Sequence, residues 1–277
     1  MMITIEQLLK NSQPLNSPTE RLDKELLLAA ALNKPRSYLY TWADQAVSEQ
    51  VLAVFQSYLA RRKQGEPIAY ILGEQGFWSL DLHVGEQTLI PRSDTETLVE
   101  QCLLHIPNDD AWRVLDLGTG TGAIALAIAN ERPLAQLVGV DFIEEAVSLA
   151  KKNASTLNIK TVTFIKSHWF DALAGERFNL IVSNPPYIAE GDIHLQQGDV
   201  RFEPKTALVS GHDGLDDIRH IVKHAPDHLI AGGWLYLEHG YQQAQAVQKL
   251  LVERGFSHIN TVCDLGGNER VTGGRLC

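Results

Sequence analysis

The chain has 277 residues, 44% of them hydrophobic, enough to bury a substantial core in one large or two modest domains. Its 24 Lys and Arg against 34 Asp and Glu give a formal charge of −10, which disfavours broad or stable binding to nucleic-acid backbones. There is no membrane-spanning apolar run, and Met1-Met-Ile-Thr-Ile-Glu-Gln lacks the pattern of a secretory signal, so a cytoplasmic protein is expected.

Residues 1–64 read as a small helical bundle. Ser17-Pro-Thr-Glu has the form of a capping box with Pro in the first turn, and Leu22, Leu26, Ala29, Ala30 and Leu32 follow as an apolar face. Ser48-Glu-Gln marks a second start before Val51, Leu52, Phe55 and Leu59. Residues 65–90 read as a linker whose Phe77-Trp-Ser-Leu-Asp-Leu-His-Val forms a β-hairpin arm.

Residues 91–277 alternate helical and strand patterns, as in a parallel sheet covered on both faces. A helix is predicted over 94–104. Strands near Arg113, Leu137, Val162, Leu180 and Trp234 alternate with helices near Ile124, Val147, Ile218 and Val247. A final hairpin, near His258 and Arg270 around Asp264-Leu-Gly-Gly-Asn, completes a seven-stranded Rossmann-like α/β fold. Cys102, Cys263 and Cys277 lack Cys-x-x-Cys spacing, and no His-x-x-x-His pair stands out in a convincing helix, so neither a disulfide framework nor a metal site is expected.

The chemistry concentrates at strand ends. Arg113-Val-Leu-Asp-Leu-Gly-Thr-Gly-Thr-Gly runs from a strand through Gly118, Thr119, Gly120, Thr121 and Gly122 into a small-residue helix, a turn that lets backbone approach a ligand closely. Asp141, at the end of the next strand, can accept from both hydroxyls of a ribose. This spacing alone also fits a dinucleotide fold, with the glycines serving helix packing and Asp141 a helix cap. The loop is Asp116-x-Gly-x-Gly-x-Gly, however, with no basic residue, so a diphosphate matches poorly. An amino acid joined to adenosine matches better, and His168 and Trp169 can flank its adenine, although Trp169 by itself reads more readily as a core or rim aromatic.

The strand Phe178–Val182 leads into Asn184-Pro185-Pro186-Tyr187. The Asn184 side-chain oxygen and the Pro185 carbonyl can accept the two N–H bonds of a planar NH2 group, while Tyr187 lies against its face. A glutamine amide and a nucleobase amine both satisfy this geometry. Taken alone, the tetrapeptide is also an ordinary proline-rich strand exit.

With these motifs in order, the chain resembles the HemK/PrmC family of release-factor glutamine methyltransferases. The resemblance includes Leu115-Asp-Leu-Gly-Thr-Gly-Thr-Gly-Ala-Ile-Ala, Val140-Asp141, Val182-Ser-Asn-Pro-Pro-Tyr-Ile and Arg201-Phe-Glu-Pro-x-x-Ala-Leu. It extends to Gly65-Glu-Pro-Ile-Ala-Tyr, Phe77-Trp78-Ser79, Leu89-Ile-Pro-Arg-Ser-Asp-Thr-Glu, Asp213-Gly-Leu and Asn268-Glu-Arg-Val-Thr. Ser93 stands where many relatives carry proline. The resemblance implies S-adenosyl-L-methionine as methyl donor, S-adenosyl-L-homocysteine as product, and the glutamine of a release-factor Gly-Gly-Gln loop as acceptor. It also implies that the N-terminal bundle recognises that protein substrate. An amino-methyltransferase for nucleobases, a dinucleotide oxidoreductase and a non-catalytic binding module are the alternatives left by the residues themselves.

Overall fold

The computed structural model describes residues 3–277. They form two compact units, one running to Glu74 and taking in Gln196–Phe202, the other comprising Gln75–Leu195 and Glu203–Cys277.

The first unit is helical: α1 (Ile5–Asn11), α2 (Glu20–Leu32), α3 (Ser37–Thr41), α4 (Glu49–Lys63) and α5 (Ile68–Leu72). Ser48 caps α4 by accepting from the Val51 N–H at 3.3 Å, and Phe55 and Leu59 are buried, as the sequence predicts. The start of α2 differs from expectation. Ser17 and Pro18 precede the helix, and Thr19 makes no side-chain cap bond; its hydroxyl donates to Asp23 at 2.8 Å instead. The buried face is also rotated from the expected one: Leu22 and Ala30 are exposed, while Asp23, Lys24 and Glu25 are buried beside Leu27, Leu28 and Ala29.

Those buried charges are held by partners, which is why an apolar stripe misjudges the helix. Glu25 meets Arg21, Arg36 and the Tyr40 hydroxyl. Asp23 accepts from Arg62 at 2.7 Å, and Arg62 also reaches Asp199 at 3.2 Å and the Glu66 carbonyl at 3.0 Å. Arg62 therefore joins α2, α4 and the chain segment Gln196–Phe202. Helix α5 falls where the sequence suggests only linker, and Arg61 donates to the carbonyls of Tyr70 and Ile71 near its end.

The second unit opens with the expected hairpin, β1 (Glu74–Phe77) and β2 (Leu80–His83). Its main sheet has seven strands: β3 (Arg113–Leu117), β4 (Gln136–Asp141), β5 (Val162–Lys166), β6 (Phe178–Ser183), β7 (Leu229–Glu238), β8 (Phe256–Cys263) and β9 (Glu269–Leu276). The order is β5-β4-β3-β6-β7-β9-β8, parallel from β5 to β7 and antiparallel where β9 joins. A 3-10 turn at Ser93–Thr95 leads into α6 (Glu96–Leu103), where one continuous helix was expected.

Strand alternation divides the core. Val114, Leu180 and Val182 face one cluster with α6, α7 (Ala123–Glu131) and α8 (Glu144–Thr156). Leu115, Leu117, Ile181, Leu235 and Leu237 face the other, with α9 (Asp216–His228) and α10 (Ala244–Glu253). Because β4 and β6 lie on opposite sides of β3, the chain reverses direction there, and a crevice opens beyond the strand ends.

Removing Arg62 strands a nearly buried Asp23, and breaking such a pair commonly costs about 3–5 kcal/mol. Arg62→Met should lower stability in urea by about that amount; a variant as stable as the parent would show that the Asp23 charge finds equivalent solvation elsewhere.

Candidate active site

The glycine turn follows β3 directly. Gly118, Gly120 and Gly122 have φ of 70°, 56° and 83°, a left-handed conformation that side chains oppose. Their roles separate on inspection. A Cβ on Gly122 would lie 2.9 Å from the Phe164 ring, so this glycine serves helix-to-sheet packing. A Cβ on Gly120 would meet nothing closer than Thr88 at 4.0 Å, so this glycine keeps backbone open to the cavity. The turn is braced by Asp141, whose two carboxylate oxygens accept the N–H groups of Gly120 and Ile143, each at 2.9 Å. Both oxygens retain acceptor capacity.

A cavity of about 340 Å³ lies at this edge. Its walls include Gly118, Thr119, Gly120, Thr121, Asp141, Trp169, Asn184 and Pro186, while Gly122, Pro185 and Tyr187 lie outside its lining. Trp169 has φ of 46° and packs 3.5 Å from the position a Cβ on Gly118 would take. Ser167 supports that strained backbone: its hydroxyl donates to the Trp169 carbonyl at 2.9 Å and accepts from the Ala172 N–H at 3.0 Å. No Lys or Arg lines the cavity among the described residues, which suits a zwitterionic adenosine compound better than a diphosphate.

Asn184 follows β6. Its Nδ2 donates to the Thr95 hydroxyl at 3.1 Å, and its Oδ1 accepts no hydrogen bond among the described residues. Pro185 is buried. The Tyr187 ring packs against the second core cluster, and its hydroxyl donates to Glu238 at 3.2 Å. Its backbone is held as well: Gln243 donates to the Tyr187 carbonyl at 3.0 Å, and a Cβ on Gly214 would fall 2.2 Å from that oxygen.

Several groups behind this turn escape sequence reasoning. Glu238 is 1% exposed, and burial pushes its carboxyl up to about 7, against the opposing pull of Thr95, Arg270 and Tyr187. Burial also raises the Tyr187 hydroxyl, reinforced by the neighbouring Glu238 charge. Glu203 accepts from the Ile90 N–H at 3.1 Å and from Arg92 at 2.6 Å, which fixes a segment next to Leu89 and Pro91 in the cavity wall. The residue strings Leu89-Ile-Pro-Arg, Arg201-Phe-Glu-Pro and Asn268-Glu-Arg were visible; their convergence was not.

The histidine reading needs correction. His220, His224 and His228 follow one another at four-residue spacing inside α9, and the helix continues through Pro226 in its last turn. His220 and His224 rings lie 4.7 Å apart, whereas His228 stacks on Phe170 at 4.6 Å. No group of three metal-ligating side chains is arranged around a common point among the described residues.

Residues 4–73 match the PrmC N-terminal domain and residues 94–202 the methyltransferase small domain. A methyltransferase from Pyrococcus furiosus shares the fold, with a TM-score of 0.55 and 17% identity over 79% of this chain and 98% of that one. Fold and site thus define a methyltransferase with a seven-stranded Rossmann-like sheet. A release factor glutamine methyltransferase of Pseudomonas aeruginosa is 60% identical, covering 99% of both chains. Those of Vibrio cholerae and Escherichia coli are 52% and 49% identical, covering 99% and 95% of this chain and 98% and 95% of theirs. The chain belongs to the release factor glutamine methyltransferase family.

Beneath the glycine turn, Asp116 is fully buried and accepts from Thr119 at 2.6 Å, while its Oδ1 has no hydrogen-bond partner among the described residues. Burial raises its carboxyl to about 7. The native state therefore holds a proton that an unfolded carboxyl, with a pKa of about 3.9, has released. Stability should fall as pH rises through the interval between those values, and level off above it. Glu238 adds to the same slope. Urea unfolding at pH 5 and pH 8 should show the loss at pH 8, and Asp116→Asn should reduce it; an unchanged pH difference would remove Asp116 from the account.

Proposed function

We propose that this protein transfers the methyl group of S-adenosyl-L-methionine to the side-chain amide nitrogen of the Gly-Gly-Gln glutamine in peptide chain release factors. The observation that carries this reading is the Asn184 amide at the cavity wall, whose Nδ2 donates to Thr95 and whose Oδ1 has no hydrogen-bond partner among the described residues. Family membership supplies the substrate class. Bound S-adenosyl-L-methionine presents an electrophilic methyl on a sulfonium.

An amide nitrogen is a poor nucleophile because its lone pair is delocalised into the carbonyl. Its alignment is therefore the main task of the protein. Asn184 Oδ1 and the Pro185 carbonyl accept its two N–H bonds, and the Tyr187 ring, tethered at its hydroxyl, offers a flat face to the amide plane. Orientation of this kind contributes up to roughly 7–11 kcal/mol in favourable cases. The same acceptors interact more strongly as the nitrogen becomes positive during C–N bond formation. The alkylated nitrogen is acidic enough to lose its remaining extra proton to solvent or to a neighbouring acceptor, without a dedicated base.

On the cofactor side, Gly118 and Gly120 admit the amino-acid portion, Asp141 accepts from the ribose, and Trp169 borders the adenine. The helical first unit is assigned to the release factor, and the protein to the cytoplasm. No helix among the described residues is long and apolar enough to cross a membrane.

Two substitutions test the two halves of the site. Asp141→Ala should weaken S-adenosyl-L-methionine binding by roughly 1.5–3 kcal/mol, the scale of a charged hydrogen bond; calorimetry giving an unchanged affinity would sink the ribose assignment. Asn184→Ala should lower kcat on the order of 10²–10³. Near-normal single-turnover methylation by that folded variant, with both substrates saturating, would reject orientation by Asn184.

A further inference from the structure

Pro185 and Pro186 carry no N–H, so the turn from Asn184 to Tyr187 lacks two of the donors with which a loop commonly holds its shape. Its entry is fixed by the β3 ladder and by the Ser183 hydroxyl, which donates to the Leu117 carbonyl at 2.7 Å. Its exit is fixed by a side chain 56 residues further on: Gln243 Nε2 donates to the Tyr187 carbonyl at 3.0 Å. The same nitrogen donates to the Asp213 carbonyl at 3.2 Å, and Gln243 Oε1 accepts from the Gly240 N–H at 2.8 Å. A main-chain carbonyl can only accept and a main-chain N–H can only donate, so these partners settle which end of the Gln243 amide is oxygen.

Gln243 is itself built into rigid neighbours. It immediately precedes α10, and its own N–H donates to the Gly240 carbonyl at 2.8 Å. The Asp213 carboxylate accepts from the Leu215 N–H at 3.2 Å and from Arg219 at 2.9 Å, which ties the Asp213–Gly214 bend to the first turn of α9. Gly214 has φ of 76°, and a Cβ there would fall 2.2 Å from the Tyr187 carbonyl oxygen and 2.7 Å from Gln243 Nε2, so the bend closes directly over the contact. Resting on the assignment of the turn from Asn184 to Tyr187 to the substrate amide, we propose that Gln243 is a positioning residue for methyl transfer. Its side chain fastens the Tyr187 main chain to the starts of α9 and α10. The Tyr187 hydroxyl is held at the far end of the ring by Glu238, at 3.2 Å, so the two tethers together set the plane on which the ring meets the glutamine amide. Gln243 is not among the residues that line the cavity, and cofactor binding should not depend on it.

The test reads single-turnover methylation of a purified release factor by the full chain at saturating cofactor, beside the calorimetric affinity for S-adenosyl-L-methionine. Gln243→Glu keeps the shape and the acceptor for Gly240, but at pH 8, where a carboxyl is ionised, it sets oxygen against the Tyr187 and Asp213 carbonyls. The rate should fall about 10- to 100-fold, the scale of a polar group left without its partner, while cofactor affinity stays within about twofold of the parent. Gln243→Met keeps the length without a charge and should show the same split between rate and affinity.

A rate equal to the parent in either folded variant would overturn the proposal. So would a rate and a cofactor affinity that fall together, or a failure of both variants to fold, since each marks a merely structural role. If only one of the two folds, that one decides by the same criteria. Tyr187→Ala, with Gln243 unaltered, tests the underlying assignment separately: full activity there would remove the Tyr187 ring from the amide site, whatever Gln243 does.

Discussion

The pairing of Leu117 with Ser183, the last register pair between β3 and β6, is the constraint on which the site depends. The glycine turn begins at the residue after Leu117, and Asn184 is the residue after Ser183. The Ser183 hydroxyl donates to the Leu117 carbonyl at 2.7 Å, so the two strand ends are fastened by a side chain as well as by the ladder. A shift of one residue would turn the alternating core side chains to the wrong face of the sheet. The hydrophobic sandwich that stabilises the fold therefore also places the glycine turn beside Asn184.

The stability of this edge comes at some electrostatic cost. Asp116 and Glu238 are almost fully buried, and each has one oxygen without a hydrogen-bond partner among the described residues. Such groups destabilise a fold unless they serve another end. Asp116 holds the Thr119 hydroxyl under the glycine turn, and Glu238 holds the Tyr187 hydroxyl behind the turn that follows β6. Both carboxyls lie one layer below the cavity and act through side chains that border or support it. The strained backbone at Trp169, braced by Ser167, follows the same arrangement.

The parts of the site that were legible in the sequence are those made by local backbone chemistry. Glycines with positive φ, an acidic strand end and a strand exit through two prolines each declare themselves within a few residues. The parts that were not legible are joined across the fold: Thr95 lies 89 residues before Asn184, and Glu238 lies 51 residues after Tyr187. A buried glutamate in Leu237-Glu-His-Gly looks like any strand-end acid until its neighbours are known. The same reason underlies the misjudged face of α2. Glu20 and Arg21 pair with Lys24 and Glu25 one turn along the helix, but Asp23 and Glu25 are also met from outside it, by Arg62 and Arg36.

By itself, the sequence determined the alternation of strands and helices, the seven-stranded sheet and its final hairpin, the glycine turn, Asp141 and the Asn184 turn, because periodicity and turn stereochemistry act between near neighbours in the chain. Tertiary structure alone decided which glycine packs and which faces the cavity, the partner of the Asn184 amide, and the extent of the helical unit. Those outcomes depend on burial and on the direction of hydrogen bonds between distant segments, and neither quantity exists until the strands and helices have come together.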